Sequence, residues 1–200
     1  MNMHGHRVPE SSPFTPQRSR FGCAVCHSGD HRFEERTCPL ELKRPLTNVE
    51  AFKGRDSVFS NFYSCRVHVF ERTFASSEHA YQYMKCVTAG NQRVADQVAR
   101  SNDGPEAKRL AKEVPSTPEW QNCRVNTMRE IIRAKLRGCP EYCQALRTSR
   151  DVIAEAVPFD RYWSAGMLPK SLVRAPMDKW PGENVMGKLH MELRKEVFKR

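Results

Sequence analysis

Apolar residues recur at intervals of three and four along much of the chain, which is the pattern of amphipathic helices. The longest predicted helix begins near Pro118, a residue suited to a first helical turn, and it ends at Gly138. Its core positions are Val125, Met128, Ile131, Ile132 and Leu136. Further helices are predicted over residues 77–87, 92–100 and 140–147, from Pro105 onward, and after Asn184.

Short runs rich in β-branched residues predict strands over residues 49–52, 67–70 and 151–156. Gly54, Asp56 and Ser57 mark a turn after the first of these strands. A few short strands among many helices predict a compact, mainly helical α+β domain with a small sheet.

Composition and charge narrow the class of protein. With 200 residues, 39% of them hydrophobic, the chain is long enough to bury a core. No run of 18 apolar residues occurs, and the first thirty positions lack the apolar segment of a signal peptide. We therefore expect an intracellular protein, cytoplasmic or nuclear, with no membrane partner.

The net charge of +10 favours a nucleic acid, a nucleotide or a phosphorylated sugar as partner. The need for solubility is an equally good explanation of this charge.

The first 48 residues divide into three segments. Residues 1–20 are predicted to be a disordered tail, and residues 40–48 read as a linker. Between them, residues 21–39 carry a C-x2-C-x4-H-x6-C arrangement that resembles a CCHC zinc knuckle, although the last gap in a knuckle is usually four residues. The predicted Zn²⁺ ligands are Cys23, Cys26, His31 and Cys38. His27 competes with His31 as a ligand, and free thiols in a flexible tail are the alternative.

A zinc knuckle would add a second binding function to the chain. Knuckles bind single-stranded nucleic acid through an aromatic ring stacked on a base and cations near phosphates, and others contact proteins. Phe21, Phe33, Arg32 and Arg36 have the required chemistry. Single-stranded nucleic acid is therefore an expected partner of this segment.

The start of the helix at residues 77–87 concentrates polar groups. Ser77 is a suitable N-cap, and Glu78 suits the positive end of the helix dipole. Glu78, Gln82 and Lys85 share one face of the helix. An adjacent apolar stripe that includes Tyr81 can turn this face towards a pocket, and a solvated polar stripe is the alternative.

Three other segments combine aromatic, polar and glycine residues. Residues 59–63 surround Asn61 with aromatic rings, and this asparagine either binds a ligand or holds a loop. Residues 159–166 place Asp160 close to Trp163, as in a nucleotide pocket or in a packing corner. Backbone amides at residues 182–184 precede the last helix and are predicted to form an anion site, with Asn184 as the N-cap.

Taken together and in this order, these segments resemble the NADAR domain family, which includes riboflavin-intermediate N-glycosidases. The similarity covers about residues 49–200. Its elements are F-S-N-F at 59–62, S-E-H-x-Y-Q-x-x-K at 77–85, A-K-R-L at 107–110, Trp120 with Met128, the stretch 155–163, and G-x-N-x-x-G-x-x-x-M-x-x-R at 182–194. One departure is Ser164, because the family often has glycine after the tryptophan.

The resemblance implies an enzyme that cleaves an N-glycosidic bond between ribose and a base or an amine. Glu78, Trp120, Asp160 and Trp163 match residues implicated in catalysis or substrate binding, and Lys85 matches a lysine proposed to attack the sugar. We therefore expect Lys85 to be the nucleophile, Glu78 the acid/base and Asp160 a second carboxylate or ribose ligand. The expected substrate-binding residues are Phe59, Asn61, Phe62, Gln82, Trp120, Glu155, Trp163, Gly182 and Asn184.

Two substrate classes agree with the resemblance: ADP-ribose attached to guanine bases of nucleic acid, and a phosphoribosylated riboflavin intermediate. The alternative is a non-catalytic module that only binds ADP-ribose or NAD. No metal is expected in the catalytic pocket, because no His/Cys cluster occurs after residue 38.

Overall fold

A computed structural model of the protein describes residues 48–198, which belong to one compact unit. The seven α-helices of this part are α1 (Ser77–Thr88), α2 (Gln92–Ala99), α3 (Gly104–Leu110), α4 (Pro118–Gly138), α5 (Pro140–Thr148), α6 (Pro169–Leu172) and α7 (Val185–Phe198). Short 3₁₀ turns follow α3 and α6. The mainly helical α+β fold predicted from the sequence is confirmed.

Four short strands form two separate two-stranded sheets. β1 (Val49–Phe52) pairs in parallel with β4 (Val152–Glu155), and β2 (Val67–Val69) pairs antiparallel with β3 (Arg72–Phe74). Phe52 lies opposite Glu155 in the first pair, so this carboxyl group is placed at the end of the parallel ladder.

Strand β3 was not predicted. It is three residues long, and only Phe74 is buried. The turn that joins it to β2 uses Phe70 and Glu71 at positive φ, 53° and 59°. Hairpin turns of this kind usually contain Asn or Gly, so the local sequence has no turn signal here.

The helix boundaries follow the predicted pattern closely, and three points differ. Helix α6 was not predicted, and Asn184 precedes α7 without capping it, because its side chain binds the backbone of β4. The third difference is at the start of α1. Ser76, rather than Ser77, caps this helix: its hydroxyl accepts the N–H of His79 at 3.2 Å. Ser77 is the first helical residue and is fully buried. The cap therefore moves by one residue, and Glu78 stays in the first turn.

Helix α4 forms the centre of the core. Met128, Ile131 and Ile132 are buried as predicted, and the helix packs against both α1 and β2. Lys135, on the same helix, is also buried, and its ammonium donates to the carbonyl oxygens of Val58 and Ser60 at 2.6 and 2.8 Å. These bonds satisfy a charge that burial would otherwise penalise, and they fix the loop before Asn61 to the core.

The predicted tail (1–20), the predicted zinc knuckle (21–39) and nearly all of the predicted linker (40–48) lie outside the described residues. Within residues 48–198, no helix is long and apolar enough to cross a membrane.

Candidate active site

A cavity of about 230 Å³ lies between the start of α1, α3, α4 and the segment after β4. Three carboxyl groups, one amine and several aromatic rings converge on it. The lining residues are Asn61, Phe62, Glu78, Tyr81, Lys108, Met128, Glu155, Val157, Asp160 and Trp163.

Glu78 is held in the cavity by the first turn of α1. Its backbone N–H donates to the carbonyl of Asn61 at 2.8 Å, which joins the helix start to the aromatic loop before it. The residue is 6% exposed, and its carboxylate accepts a hydrogen bond from Nε2 of Gln82 at 2.8 Å. The alternative of a solvated polar stripe is wrong for these two residues, because both are buried. Gln82 itself orients Glu78 and does not line the cavity.

Glu155 reaches the cavity from the last position of β4, and Asp160 reaches it from the segment that follows this strand. Oδ1 of Asp160 accepts the backbone N–H groups of Tyr162 and Trp163 at 3.0 and 2.8 Å. Within residues 48–198 no hydrogen bond reaches the second oxygen of Asp160. This oxygen is therefore available to a ligand.

Burial and mutual repulsion change the proton affinity of two of the carboxyl groups. Burial raises the pKa of Glu78, and the charge of Asp160 adds to this rise, whereas Lys108 and the hydrogen bond from Gln82 oppose it. Burial, Asp160 and Glu78 together raise the pKa of Glu155 to about 7. Glu155 can therefore give or accept a proton near neutral pH.

The amine in the cavity belongs to Lys108, not to Lys85. Nζ of Lys108 lies 3.8 Å from Oε1 of Glu78 and 5.2 Å from the centre of the Phe62 ring. Nζ of Lys85 instead donates to the carbonyl of Ala111 at 3.0 Å, and Lys85 does not line the cavity. The seven-residue separation explains this, since it moves Lys85 about 10 Å along the helix axis from Glu78. The position of Lys85 thus does not support its expected role as nucleophile.

Aromatic rings form the walls. Phe62 and Trp163 line the cavity as expected, and Tyr81 lies edge-on to Trp163 with ring centres 5.7 Å apart. Trp120 is buried behind Tyr81, at 4.8 Å between ring centres, and does not line the cavity. Its position makes Trp120 a support for the wall.

Phe59 lies in the hydrophobic core, outside the cavity, although it was expected to bind substrate. Its ring centre is 5.7 Å from that of Phe52 and 5.4 Å from that of His190. The next lining residue, Asn61, is two positions later in the chain. The aromatic loop thus contributes Asn61 and Phe62 to the cavity and Phe59 to the core.

The backbone amides at the start of α7 do not form the predicted anion site. The N–H groups of residues 182–184 donate to carbonyl oxygens of the 161–165 segment at 2.8 to 3.1 Å. Gly182 approaches that segment so closely that an added Cβ would lie 2.3 Å from the carbonyl oxygen of Ser164. Asn184 is buried, and its side chain binds the backbone of β4. Gly182 and Asn184 therefore position the site from outside the cavity.

Ser164, which departs from the family pattern, forms hydrogen bonds to the backbone at several points of the site. Its buried hydroxyl accepts the N–H groups of Val157 at 2.8 Å and Gly166 at 3.2 Å. The same oxygen lies 2.8 Å from the carbonyl of Glu155, to which the hydroxyl donates. The segment that carries Asp160 is thus fastened at both ends to the end of β4.

Four lining residues were not expected as site residues: Tyr81, Lys108, Met128 and Val157. For Lys108, the one signal in the sequence was its place in the A-K-R-L segment of the resemblance. Its proximity to Glu78 depends on how α3 packs against α1, which no local pattern reveals.

A larger cavity of about 540 Å³ shares Phe62 with the first one. Its carboxyl groups, Asp56 and Asp103, belong to exposed residues, and Asp103 caps α3. The smaller cavity is the candidate active site because its acidic groups are less exposed and because Asp160 raises the pKa values of both Glu78 and Glu155. Within residues 48–198, no group of three or more His, Cys, Asp or Glu side chains is arranged to hold a metal ion.

Several known proteins are similar in sequence. N-glycosidase R617 of Acanthamoeba polyphaga mimivirus is 33% identical over 78 residues, which are 38% of this chain and 46% of that protein. N-glycosidase YbiA of Escherichia coli (strain K12) is 27% identical over 142 residues, 70% of this chain and 80% of YbiA. The chloroplastic riboflavin biosynthesis protein PYRR of Zea mays is 25% identical over 171 residues. The match spans about half of R617 and 26% of PYRR.

The fold is also known from a solved structure. The NMR structure of E. coli YbiA superimposes with a TM-score of 0.62 and 22% sequence identity, covering 78% of this chain and 89% of YbiA. A family model described as the NADAR domain matches residues 50–198, which include every residue of the cavity. The chain therefore belongs to the NADAR domain family.

Proposed function

We propose that this chain is an N-glycosidase, which hydrolyses the bond between the anomeric carbon of a ribose and the nitrogen of a base or an amine. One observation carries the proposal: the carboxyl groups of Glu78, Glu155 and Asp160 and the amine of Lys108 line one aromatic cavity. Glycosidic cleavage needs an acid for the leaving group and a negative charge near the anomeric carbon. The names of R617 and YbiA as N-glycosidases support the same reaction.

Glu155 has the properties of the general acid. Its pKa of about 7 leaves it partly protonated at neutral pH, so it donates a proton to the leaving nitrogen as the glycosidic bond breaks. One carboxylate oxygen of Asp160 accepts no hydrogen bond from the part of the chain that the structure describes, and this oxygen stabilises the positive charge that develops on the sugar. The two carboxyl groups thus divide the roles of acid and electrostatic stabiliser.

Lys108, in place of Lys85, is the nucleophile in this proposal. Glu78 lies 3.8 Å from its ammonium and has a raised pKa, so Glu78 accepts the proton that Lys108 must lose before attack. The free amine then bonds to the anomeric carbon as the base leaves with the proton of Glu155. The ribosyl-lysine opens to a Schiff base, and water hydrolyses it to ADP-ribose or ribose phosphate. In this step Glu78 returns its proton to the amine of Lys108, and a proton of the water restores Glu155. In total, one water is consumed, which supplies oxygen to the sugar and hydrogen to the base.

Borohydride trapping tests this proposal. Incubation with substrate and borohydride, followed by mass spectrometry, is expected to show an adduct on Lys108 of the wild type. The Lys108→Ala variant is expected to lose the adduct and at least a hundredfold in base release, whereas the control Lys85→Ala keeps both. An adduct on Lys85 would restore the nucleophile expected from the resemblance. An active enzyme without any adduct would rule out the covalent step.

The proposed substrate carries ribose as an ADP-ribosyl or phosphoribosyl group. The aromatic walls and the basic net charge suit a nucleotide, and the similarity to PYRR adds a riboflavin intermediate to the candidates. Cleavage is to be compared on an ADP-ribosylated guanine oligonucleotide, measured as release of ADP-ribose, and on the phosphoribosylated riboflavin intermediate, measured as release of ribose phosphate. Tight ADP-ribose binding without release from either substrate would favour a pure binding module.

We further propose that one structural Zn²⁺ binds Cys23, Cys26, His31 and Cys38, which lie outside the described residues. Support comes from their spacing in the sequence alone. Elemental analysis is expected to find one zinc ion per chain in the wild type. The zinc should be lost in Cys26→Ser and retained in the control Cys143→Ser.

The same segment, residues 21–39, is the proposed contact for single-stranded nucleic acid. Cys26→Ser should therefore weaken oligonucleotide binding and leave cleavage of a free nucleotide substrate unchanged.

A further inference from the structure

Phe159 occupies the tip of a tight turn in the segment after β4. The N–H of Asp160 donates to the carbonyl of Val157 at 3.3 Å, which closes a four-residue turn over residues 157–160. Pro158 holds the second position, where proline favours turns of this type because its φ is already suitable. The backbone under Phe159 is therefore well defined.

Both ends of this turn are fixed to the rest of the site. The N–H of Val157 donates to Oγ of Ser164 at 2.8 Å, and the carboxylate of Asp160 accepts two backbone amides of the following residues. Val157 and Asp160 both line the candidate active site. Phe159 is consequently carried by a fixed turn whose first and last residues line the cavity.

Among residues 48–198, the ring of Phe159 has almost no contact with other side chains. Phe159 is 98% exposed, whereas the other exposed large hydrophobic residues of the described chain, such as Met177, are about half exposed. A single exposed apolar residue is common on protein surfaces, so exposure alone would mean little. Here the exposed ring adjoins two lining residues on a fixed turn, and it contributes nothing to the core.

One cationic residue follows this turn directly, and another lines the cavity. Arg161 directly follows Asp160 and is exposed, and Lys108 lines the cavity with 61% of its side chain exposed. An aromatic ring next to cations is the combination that binds nucleotides, because the ring stacks on the base and the cations meet phosphates. One isolated ring among charged groups is too small an apolar surface for a stable protein interface.

We propose that Phe159 is a stacking platform for a heteroaromatic ring of the substrate. The stacked ring is either the base on the scissile bond or the next base of a single strand, and both present the same flat π face. This inference rests on the proposed N-glycosidase function, and it adds a residue that selects substrates with such a ring. Because the turn is already ordered, binding does not have to pay for ordering it.

Three variants test the platform: Phe159→Ala, Phe159→Trp and the control Met177→Ala. Release of ADP-ribose is measured on an ADP-ribosylated guanine oligonucleotide, on the same strand with abasic neighbours, and on the free ADP-ribosylated guanine nucleotide. Phe159→Ala is expected to raise KM about tenfold with kcat nearly unchanged, in line with the usual contribution of base stacking. Phe159→Trp is expected to retain or lower KM, and Met177→Ala should behave as the wild type. An increase of KM on all three substrates identifies the scissile base as the stacked ring, and an increase confined to the normal strand identifies its neighbour.

A binding experiment separates failure of the platform from failure of the proposed function. A short single strand that contains 2-aminopurine is titrated with protein, because stacking on an aromatic side chain quenches its fluorescence. Quenching that is lost in Phe159→Ala supports the platform even if the wild type releases no base, in which case only the enzymatic proposal fails. Unchanged KM on every substrate that the wild type turns over, together with unchanged quenching, would overturn the platform.

Discussion

Asn184 holds the backbone of Glu155 in place. Oδ1 of Asn184 accepts the N–H of Glu155 at 3.1 Å, and Nδ2 of the same side chain donates to the carbonyl of Ile153 at 3.0 Å. The two residues are 29 positions apart, so the start of α7 is joined directly to the end of β4. Asn184 itself has a φ of 51°, a conformation that asparagine tolerates better than most residues.

Replacing Asn184 should therefore reduce both stability and activity. Asn184→Ala removes one buried and one partly buried hydrogen bond and keeps an unfavourable φ, so we expect a loss of about 3 kcal/mol in the free energy of unfolding. Urea denaturation measures this loss. The control Asn48→Ala removes an exposed bond to Asp151 and should cost less than about 0.5 kcal/mol. Equal effects of the two variants would mean that Asn184 has no special structural role.

The pH dependence of stability should reveal the raised pKa of Glu155. Because its pKa is about 7 in the folded state and near 4.5 in the unfolded state, this residue stabilises the fold fully below pH 4.5. That contribution is lost as the pH rises towards and beyond 7. Glu155→Gln cannot ionise and should gain on the order of 2 kcal/mol relative to the wild type at pH 8 compared with pH 4.5. Denaturation at the two pH values checks this, and a constant difference would contradict it.

Activity should depend on the same proton. If protonated Glu155 is the general acid, kcat of the wild type should fall about tenfold per pH unit well above pH 7. Glu155→Gln should have low activity at all pH values and should lack this alkaline limb. The comparison needs a series of kcat values from pH 5 to 9. An alkaline limb that persists in Glu155→Gln would assign the acid to another residue.

Gln82 should influence the enzyme through the pKa of Glu78. Its hydrogen bond lowers that pKa, so Gln82→Met should raise it and move the acidic limb of the pH profile of kcat to higher pH. Gln92→Met is a matched control, since the exposed Gln92 bonds only to Asp96 on its own helix. A merely structural role of Gln82 would lower stability without moving the acidic limb.

The hydroxyl of Ser164 should contribute to the stability of this chain, although the family often has glycine, which lacks a hydroxyl, at this position. Ser164→Ala leaves the N–H groups of Val157 and Gly166 without their acceptor, which should cost about 2 kcal/mol in the free energy of unfolding. Ser149→Ala is the control, because that hydroxyl is only partly buried. Thermal denaturation measures both variants. An unchanged Ser164→Ala variant would show that water can replace the hydroxyl.

The helices could be predicted well because their signals are local. Proline at a first turn and the periodic apolar residues placed α4 within one or two residues of its observed ends. Strand β3 was missed because it is short, largely exposed and joined by a turn without Asn or Gly. Local patterns therefore succeeded where a residue's own neighbours in sequence determine its conformation.

The site was predicted only in part, because it is assembled from distant segments. The sequence order of motifs indicated Glu78, Glu155, Asp160, Asn61, Phe62 and Trp163, and all of these line the cavity. It also indicated Lys85, Phe59 and Gly182, which belong to the same motifs but do not line the cavity. Lys85 binds the carbonyl of Ala111, Phe59 packs in the core, and Gly182 packs against the backbone of Ser164. A motif identifies a segment, and the direction of each side chain depends on the elements that pack against it.

By itself, the sequence determined the helical elements apart from α6, the family and the carboxyl groups of the site, since these depend on local periodicity and on the identity of residues. Only the tertiary structure decided which amine meets Glu78. Lys85 lies on the same helix face but two turns away, whereas Lys108 reaches within 3.8 Å because α3 packs against the start of α1. Packing between helices brings Glu78 and Lys108, 30 positions apart in sequence, close together in space. The spacing of residues along the chain does not reveal this proximity.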